Sequence, residues 1–136
     1  MDIKIINGTV LDGENESPIR CDIGITDDKI VAIGNLSLEN AGKLIDATSL
    51  RIAPGFIDIH THSDLSVVFH PQQESIISQG VTTQVVGNCS LCVGFATDER
   101  IFSFERRWLA ANKAKITWSN LEEHLQFVEN NGVATN

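Results

Sequence analysis

Two imidazoles and a thiol carry the strongest chemical signal in this sequence. The segment Asp58-Ile59-His60-Thr61-His62-Ser63-Asp64 follows Phe56-Ile57, opening a short, apolar, β-branched run. Side chains at i and i+2 of a strand share one face, so His60 and His62 can converge on a single ion. Neutral imidazole is a good ligand for zinc and similar metals, at about 2.0–2.1 Å. Cys89 ends a second β-branched run, Val81-Thr82-Thr83-Gln84-Val85-Val86-Gly87-Asn88-Cys89. A thiolate there would face the same mouth as the histidines, and thiolate suits zinc. His60, His62 and Cys89 are the candidate metal ligands, and zinc or another divalent ion is the candidate cofactor.

Other reactive residues carry weaker signals. Asp64 can orient a ligand or bind substrate, or simply cap the loop that follows. His70, beside Pro71, reads as a loop or helix-entry residue. His124, between Leu121 and Leu125 on an apolar helix face, reads as a packed histidine. Cys89-Ser90-Leu91-Cys92 is also a Cys-x-x-Cys pair, which keeps a thioredoxin-like redox reading open. That reading leaves the His-x-His segment without a role. A four-cysteine zinc site lacks a second pair, since only Cys21 remains.

The elements around these residues fall into two stretches. Residues 2–53 read as short strands separated by turns, with tight-turn signals at Asn7-Gly8, Asp12-Gly13 and Asp27-Asp28. Cys21-Asp22-Ile23-Gly24-Ile25 alternates with period two, as a half-buried strand does. At Pro54-Gly55 the character changes. Phe56-Ile57-Asp58-Ile59 predicts a strand covered on both faces. Pro71 opens a helix through Ser75, Ile76 and Ile77 that Gly80 closes. The strand ending at Cys89 follows, then a helix over residues 98–113. Ser119-Asn120-Leu121-Glu122 reads as a capping box before a last helix that ends at Gly132, and residues 133–136 begin a third strand. Strand and helix in alternation imply parallel pairing. The chain is therefore an all-β module, residues 1–53, followed by the opening of an α/β domain, residues 54–136. A complete (β/α)8 barrel takes about 250 residues, so the pattern is incomplete at residue 136.

Composition narrows the partners. Hydrophobic residues make up 42% of the 136 and the net charge is −8, which is ordinary for a globular protein and unlike a disordered one. Nine acids and five bases fall in residues 1–53, and the same numbers recur in residues 54–136. With no basic stripe, nucleic acid and anionic membrane are poor partners. The N-terminus lacks the pattern of a signal peptide and no apolar run approaches a membrane span. Three cysteines argue against a disulfide framework. A reducing cytoplasm is the expected location.

Ile52-Ala53-Pro54-Gly55-Phe56-Ile57-Asp58-Ile59-His60-Thr61-His62 resembles the entry strand of the metal-dependent amidohydrolase superfamily. Ser78-Gln79-Gly80-Val81-Thr82-Thr83-Gln84-Val85-Val86-Gly87-Asn88-Cys89 narrows the resemblance to the N-acyl-D-amino-acid deacylases, or D-aminoacylases. The segments from Asn7 to Gly13 and from Asp28 to Gly34 resemble the small β-sandwich of those enzymes. The resemblance implies an α/β fold class: N-terminal β-sandwich strands, then the first βα units of a TIM barrel. It implies His60 and His62 as first-strand metal ligands and Cys89 as the second-strand ligand. Ser90 stands where the family usually has glycine. The remaining metal histidines and the proton-carrying aspartate of the family lie on later strands, beyond residue 136, so Asp58 and Asp64 are not cast in that role. The implied activity is metal-dependent hydrolysis of the amide of a small N-acylated D-amino acid, with the 136 residues inactive by themselves. An unpaired parallel strand edge favours association with other chains, homo-oligomers included. Dihydroorotase-, hydantoinase- and isoaspartyl-dipeptidase-like amidohydrolases share the metal platform, so fold alone does not choose among them. The reading from another class is a truncated, non-catalytic redox or metal-binding module built on Cys89 and Cys92.

Overall fold

Asn7-Gly8 is not a turn. In the computed structural model, which describes residues 1–90, 107, 110, 111 and 117–136, strand β1 (Ile3–Val10) runs straight through it. The dipeptide forms a bulge instead: Asn7 takes φ 63°, and the pairing of β1 with β2 (Ile19–Thr26) slips between Ile5 and Gly8. Polar partners hold the bulge. The Asn7 N–H donates to Asp22 Oδ1 and its side-chain amide to Asp46 Oδ1, both at 3.1 Å. Asparagine tolerates the left-handed region because its short polar side chain bonds locally, which suits a bulge as well as a turn.

The bulge also divides the far edge of β1. Residues Ile3 to Ile6 pair in parallel with β4 (Lys43–Asp46), whereas Thr9 and Val10 pair with β5 (Arg51–Ile52). With β3 (Lys29–Gly34) on the outer edge of β2, the order is β3-β2-β1-β4, and β5 shares β1 with β4. The Asp27-Asp28 turn joins β2 to β3 as the sequence implies, with Asp27 at φ 54°. Asp12 holds the other turn by accepting from the N–H groups of Glu14 and Asn15. Val10, Ile23, Leu36 and Ala47 form the buried apolar centre of this unit, which spans Met1–Pro54.

The second compact unit spans Gly55–Asn136. Strand β6 (Phe56–Asp58) pairs in parallel with β7 (Val81–Gln84). The register slips at Phe56/Ile57, leaving Thr82 as the extra residue. Gly55 makes room there, because a Cβ at that position would run into the Thr82 side chain. Between the strands lie α1 (Ser63–Ser66) and α2 (Glu74–Ile77). The second begins three residues later than the proline signal suggests, after Gln73 at φ 46°, and Gly80, at φ 83°, closes the connection. On the other edge of β7, the Asn136 N–H donates to the Thr82 carbonyl at 2.9 Å and its carbonyl accepts from Gln84 at 2.8 Å. That is one parallel rung, where the sequence suggests a strand beginning.

Two expectations change. Phe56 and Ile57, read as covered on both faces, are 64% and 63% exposed. Parallel strands are covered by helices long enough to lie across them, and α1 and α2 have four residues each. The capping box sits one residue later than expected. Asn120 is the cap of α3 (Leu121–Asn131); its side chain accepts from the Glu123 N–H at 2.9 Å. The Glu123 carboxylate reaches back to the Ser119 N–H at 2.6 Å, which holds its carboxyl below the usual carboxylate range. Asparagine outranks serine here because its extended backbone, φ −150°, aims the amide oxygen at the third helical N–H. The helix expected over residues 98–113 and the thiol of Cys92 lie outside the described residues, apart from 107, 110 and 111. Among the described residues no helix is long and apolar enough to cross a membrane.

Gly8 tests the bulge. A Cβ at this position would run into the Ile52 side chain and lie 3.3 Å from the Ala47 Cβ. Gly8→Ala is expected to destabilise the chain by about 1–3 kcal/mol through overpacking, read as a lower midpoint in thermal or urea unfolding; an unchanged midpoint contradicts this packing.

Candidate metal centre

His60, His62 and Cys89 come together at one edge of the second unit. One ligand atom from each lies within 4.8 Å of the others, and all three side chains are exposed. Cys89 Sγ is 3.4 Å from His60 Nε2. The two imidazole rings meet edge to face, centroids 5.7 Å apart at 77°. Two neutral nitrogens and a soft sulfur match the donor preferences of zinc, and an exposed three-residue set leaves a coordination position open.

Strand alternation does not produce this convergence. β6 stops at Asp58, His60 lies in a bend, and His62 occupies the cap position of α1. The Asp58 carboxylate shapes the bend by accepting from the His60 N–H at 3.1 Å. The parallel ladder resumes past it: Val85 donates to the Asp58 carbonyl at 2.8 Å, and Thr61 donates to the Val85 carbonyl at 3.2 Å. Three residues thus separate two successive bonds to Val85, where a regular parallel strand has two, and His60 belongs to the extra length. Cys89 likewise lies past its strand, in the 3-10 turn Asn88–Ser90, at φ 56°. A left-handed backbone costs a non-glycine residue roughly 1–2 kcal/mol, and such positions cluster at functional sites.

Behind the three side chains sits a polar network that composition did not reveal. Gln84, the last residue of β7, accepts from Ser63 Oγ at 2.5 Å. Its amide nitrogen donates to Thr135 Oγ1 at 2.8 Å and to Gln73 Oε1 at 3.2 Å. Ser63, Gln73 and Thr135 are all buried. Ser63 in turn shares a 2.8 Å hydrogen bond with Thr61 Oγ1. One side chain therefore ties the entry of α1, the entry of α2 and the 133–136 segment to β7. Asn88 makes a second tie: its amide donates to the carbonyls of Thr61, at 3.2 Å, and Val85, at 2.9 Å. The signal for Asn88 was its place directly before Cys89; Gln84 reads as an ordinary strand residue.

No family model matches the chain. A D-aminoacylase of Alcaligenes xylosoxydans xylosoxydans is 44% identical over 90 residues, 66% of this chain and 19% of that protein. A D-aminoacylase crystal structure, described as defining a subset of the amidohydrolases, aligns over 99% of this chain and 28% of its own, with TM-score 0.83 and 31% identity. The N-acyl-D-glutamate deacylase of Bordetella bronchiseptica, solved with zinc and a phosphonate mimic of a tetrahedral intermediate, aligns over 68% of this chain and 19% of its own, with TM-score 0.65 and 43% identity. The chain thus spans 19% to 28% of the length of these relatives. Its fold is a sheet-rich α/β arrangement like theirs.

Asp64 and His124 lie apart from the exposed trio. Asp64 is 3% exposed in the first turn of α1, and His124 is 5% exposed on α3. Both line a cavity of about 190 Å³ whose other walls include Val86, Val128 and Val133. The His124 ring stacks at a tilt on buried Trp118, centroids 4.9 Å apart. His124 is thus the packed histidine that its helical position implies. His70 is exposed, its ring edge to face with Phe69 at 6.3 Å.

Burial lowers the pKa of His124 below its ordinary value of 6.5, and the Asp64 carboxylate only partly opposes this. The unfolded chain therefore binds the His124 proton more readily than the folded one. The contribution to stability is complete above about pH 6.5 and is lost as the pH falls below it. Thermal unfolding between pH 8 and pH 5 is expected to show a smaller drop in midpoint for His124→Phe than for the wild type; equal drops contradict it.

Proposed function

This chain is a homologue of the N-acyl-D-amino-acid deacylases over 19% to 28% of their length, and on that footing we propose that it is the amino-terminal part of a metal-dependent hydrolase of non-peptide carbon–nitrogen bonds, an N-acyl-D-amino-acid deacylase. In this reading residues 1–53 contribute strands to a small β-sandwich domain and residues 54–136 open a TIM barrel. His60, His62 and Cys89 hold a divalent ion, zinc by the chemistry of the donor set. The observation that carries the reading is their convergence, with ligand atoms within 4.8 Å, in a chain whose relatives include a zinc-containing deacylase.

A divalent ion at this position supplies a Lewis acid for an amide carbonyl and brings the ionisation of water toward neutral pH. The protein's own part is placement. The bend at His60 and the turn at Cys89 present donors from two loops to one exposed site. The proton carrier and the contacts that read the acyl group and the side chain belong to later parts of the fold. Asp64, held in the cavity beside His124, is given no contact with substrate. The partner is a small N-acylated amino acid, and the expected compartment is the cytoplasm.

Metal binding tests the site directly. Zinc content after equilibrium dialysis is expected to fall in His60→Ala, His62→Ala and Cys89→Ser, with affinity weakened at least as much as the roughly 10–100-fold cost of losing an outer-shell partner. Wild-type zinc affinity in all three variants rejects the assignment. Substrate class is tested separately with the full-length protein and paired D and L N-acetyl amino acids, alongside dihydroorotate and hydantoin. Chelator-sensitive hydrolysis of the D forms is expected, and fixing three points of a chiral substrate is enough for a strong preference, since a misplacement of about 1 Å can cost 10²-fold in rate. Equal rates on both enantiomers, or activity on the cyclic amides alone, reject the deacylase reading and leave the metal site standing.

A further inference from the structure

We propose that Asn88 is a positioning residue for the metal centre, a side-chain clamp that sets the separation between the histidine loop and the cysteine turn. The inference rests on the reading of His60, His62 and Cys89 as metal ligands. Its geometric basis is independent of any ion. The Asn88 amide nitrogen donates to two carbonyls on two different segments: Thr61, the residue between His60 and His62, at 3.2 Å, and Val85, just past β7, at 2.9 Å. Two carbonyl acceptors within reach fix which end of the amide is the nitrogen, since an oxygen there would face both lone-pair sets. The same Val85 carbonyl also accepts from the Thr61 N–H, so the amide completes a closed arrangement of Thr61, Val85 and Asn88.

That arrangement sits where the backbone most needs holding. The Thr61 and Val85 backbones meet past the end of β6, where the ladder has already skipped a residue, and Asn88 is the next residue before Cys89. Cys89 itself takes φ 56° and Gly87 takes φ 82°, so two of the three residues around the clamp are in the left-handed region. Without the amide, nothing else described joins the cysteine turn to the loop carrying the histidines through a side chain, apart from the Cys89–His60 contact itself. Asn88 is half-buried while all three ligands are exposed, which places it behind the site. Groups that orient metal ligands from behind typically carry 10–100-fold of affinity.

The test uses cobalt(II) with the full-length protein, because a thiolate-to-cobalt charge-transfer band reports ligation by Cys89 without any assay of turnover. Cys89→Ser, which removes the band, serves as the control. Asn88→Ala deletes the clamp. Asn88→Asp keeps its volume and replaces the donor with an acceptor, and it decides the matter if the alanine variant does not fold. Both are expected to weaken cobalt binding roughly 10–100-fold and to shift or weaken the band at saturating cobalt, because the sulfur no longer sits at the same distance from the two imidazoles. A merely structural role would lower stability and leave the band of the bound protein unchanged. Wild-type affinity and an unaltered band in the folded variants overturn the clamp alone. A wild-type protein without the band overturns the metal reading, and the clamp's purpose with it.

Discussion

The parallel pairing of β6 with β7 is the constraint on which the candidate site depends. Two strands running the same way end on the same side, so whatever follows each of them is brought together without further instruction. Here the histidine loop follows β6 and the cysteine turn follows β7. An antiparallel pair with the same residues would put them at opposite ends. The pairing is itself permissive near its start: Thr82 is accommodated as an extra residue because Gly55 has no Cβ to oppose it. The first rungs of a short ladder thus rest on a glycine.

Pairing brings the ends close, and polar side chains then set the distances. Gln84 uses both its acceptor and its donors on buried Ser63, Thr135 and Gln73. A buried polar group is costly only when unpaired, and a fully used amide makes such a group a specific tie between segments. Apolar packing would hold the same elements together but would tolerate sliding. Hydrogen bonds from a single amide to three partners do not.

Asp64 and His124 illustrate how a sequence motif can divide its labour. Asp64 is two residues from His62 in the chain, yet the turn of α1 carries it inward to a cavity shared with a histidine of α3. The Asp64 carboxylate partly opposes the effect of burial on His124, and burial is the stronger influence. The exposed half of the motif faces solvent, and the buried half anchors the loop that bears it.

The residue types settled a great deal before any fold was known. The change of character at Pro54-Gly55, the strands of the first unit and the packed state of His124 were all legible, because each depends on local pattern or on the intrinsic preferences of side chains. What pattern could not determine was how the backbone departs from regularity. Asn7-Gly8 has the composition of a turn, but pairing of both edges of β1 held the strand extended, so the same left-handed preference was expressed as a bulge. His60 and His62 have the spacing of a strand face, but β6 ended at Asp58, whose carboxylate captured the His60 N–H. The two imidazoles meet through a bend and a cap position. Gln84 carried no signal of its own and Asn88 only its place before Cys89, since an amide becomes a clamp only when tertiary structure places carbonyls and hydroxyls from distant segments within about 3 Å of it.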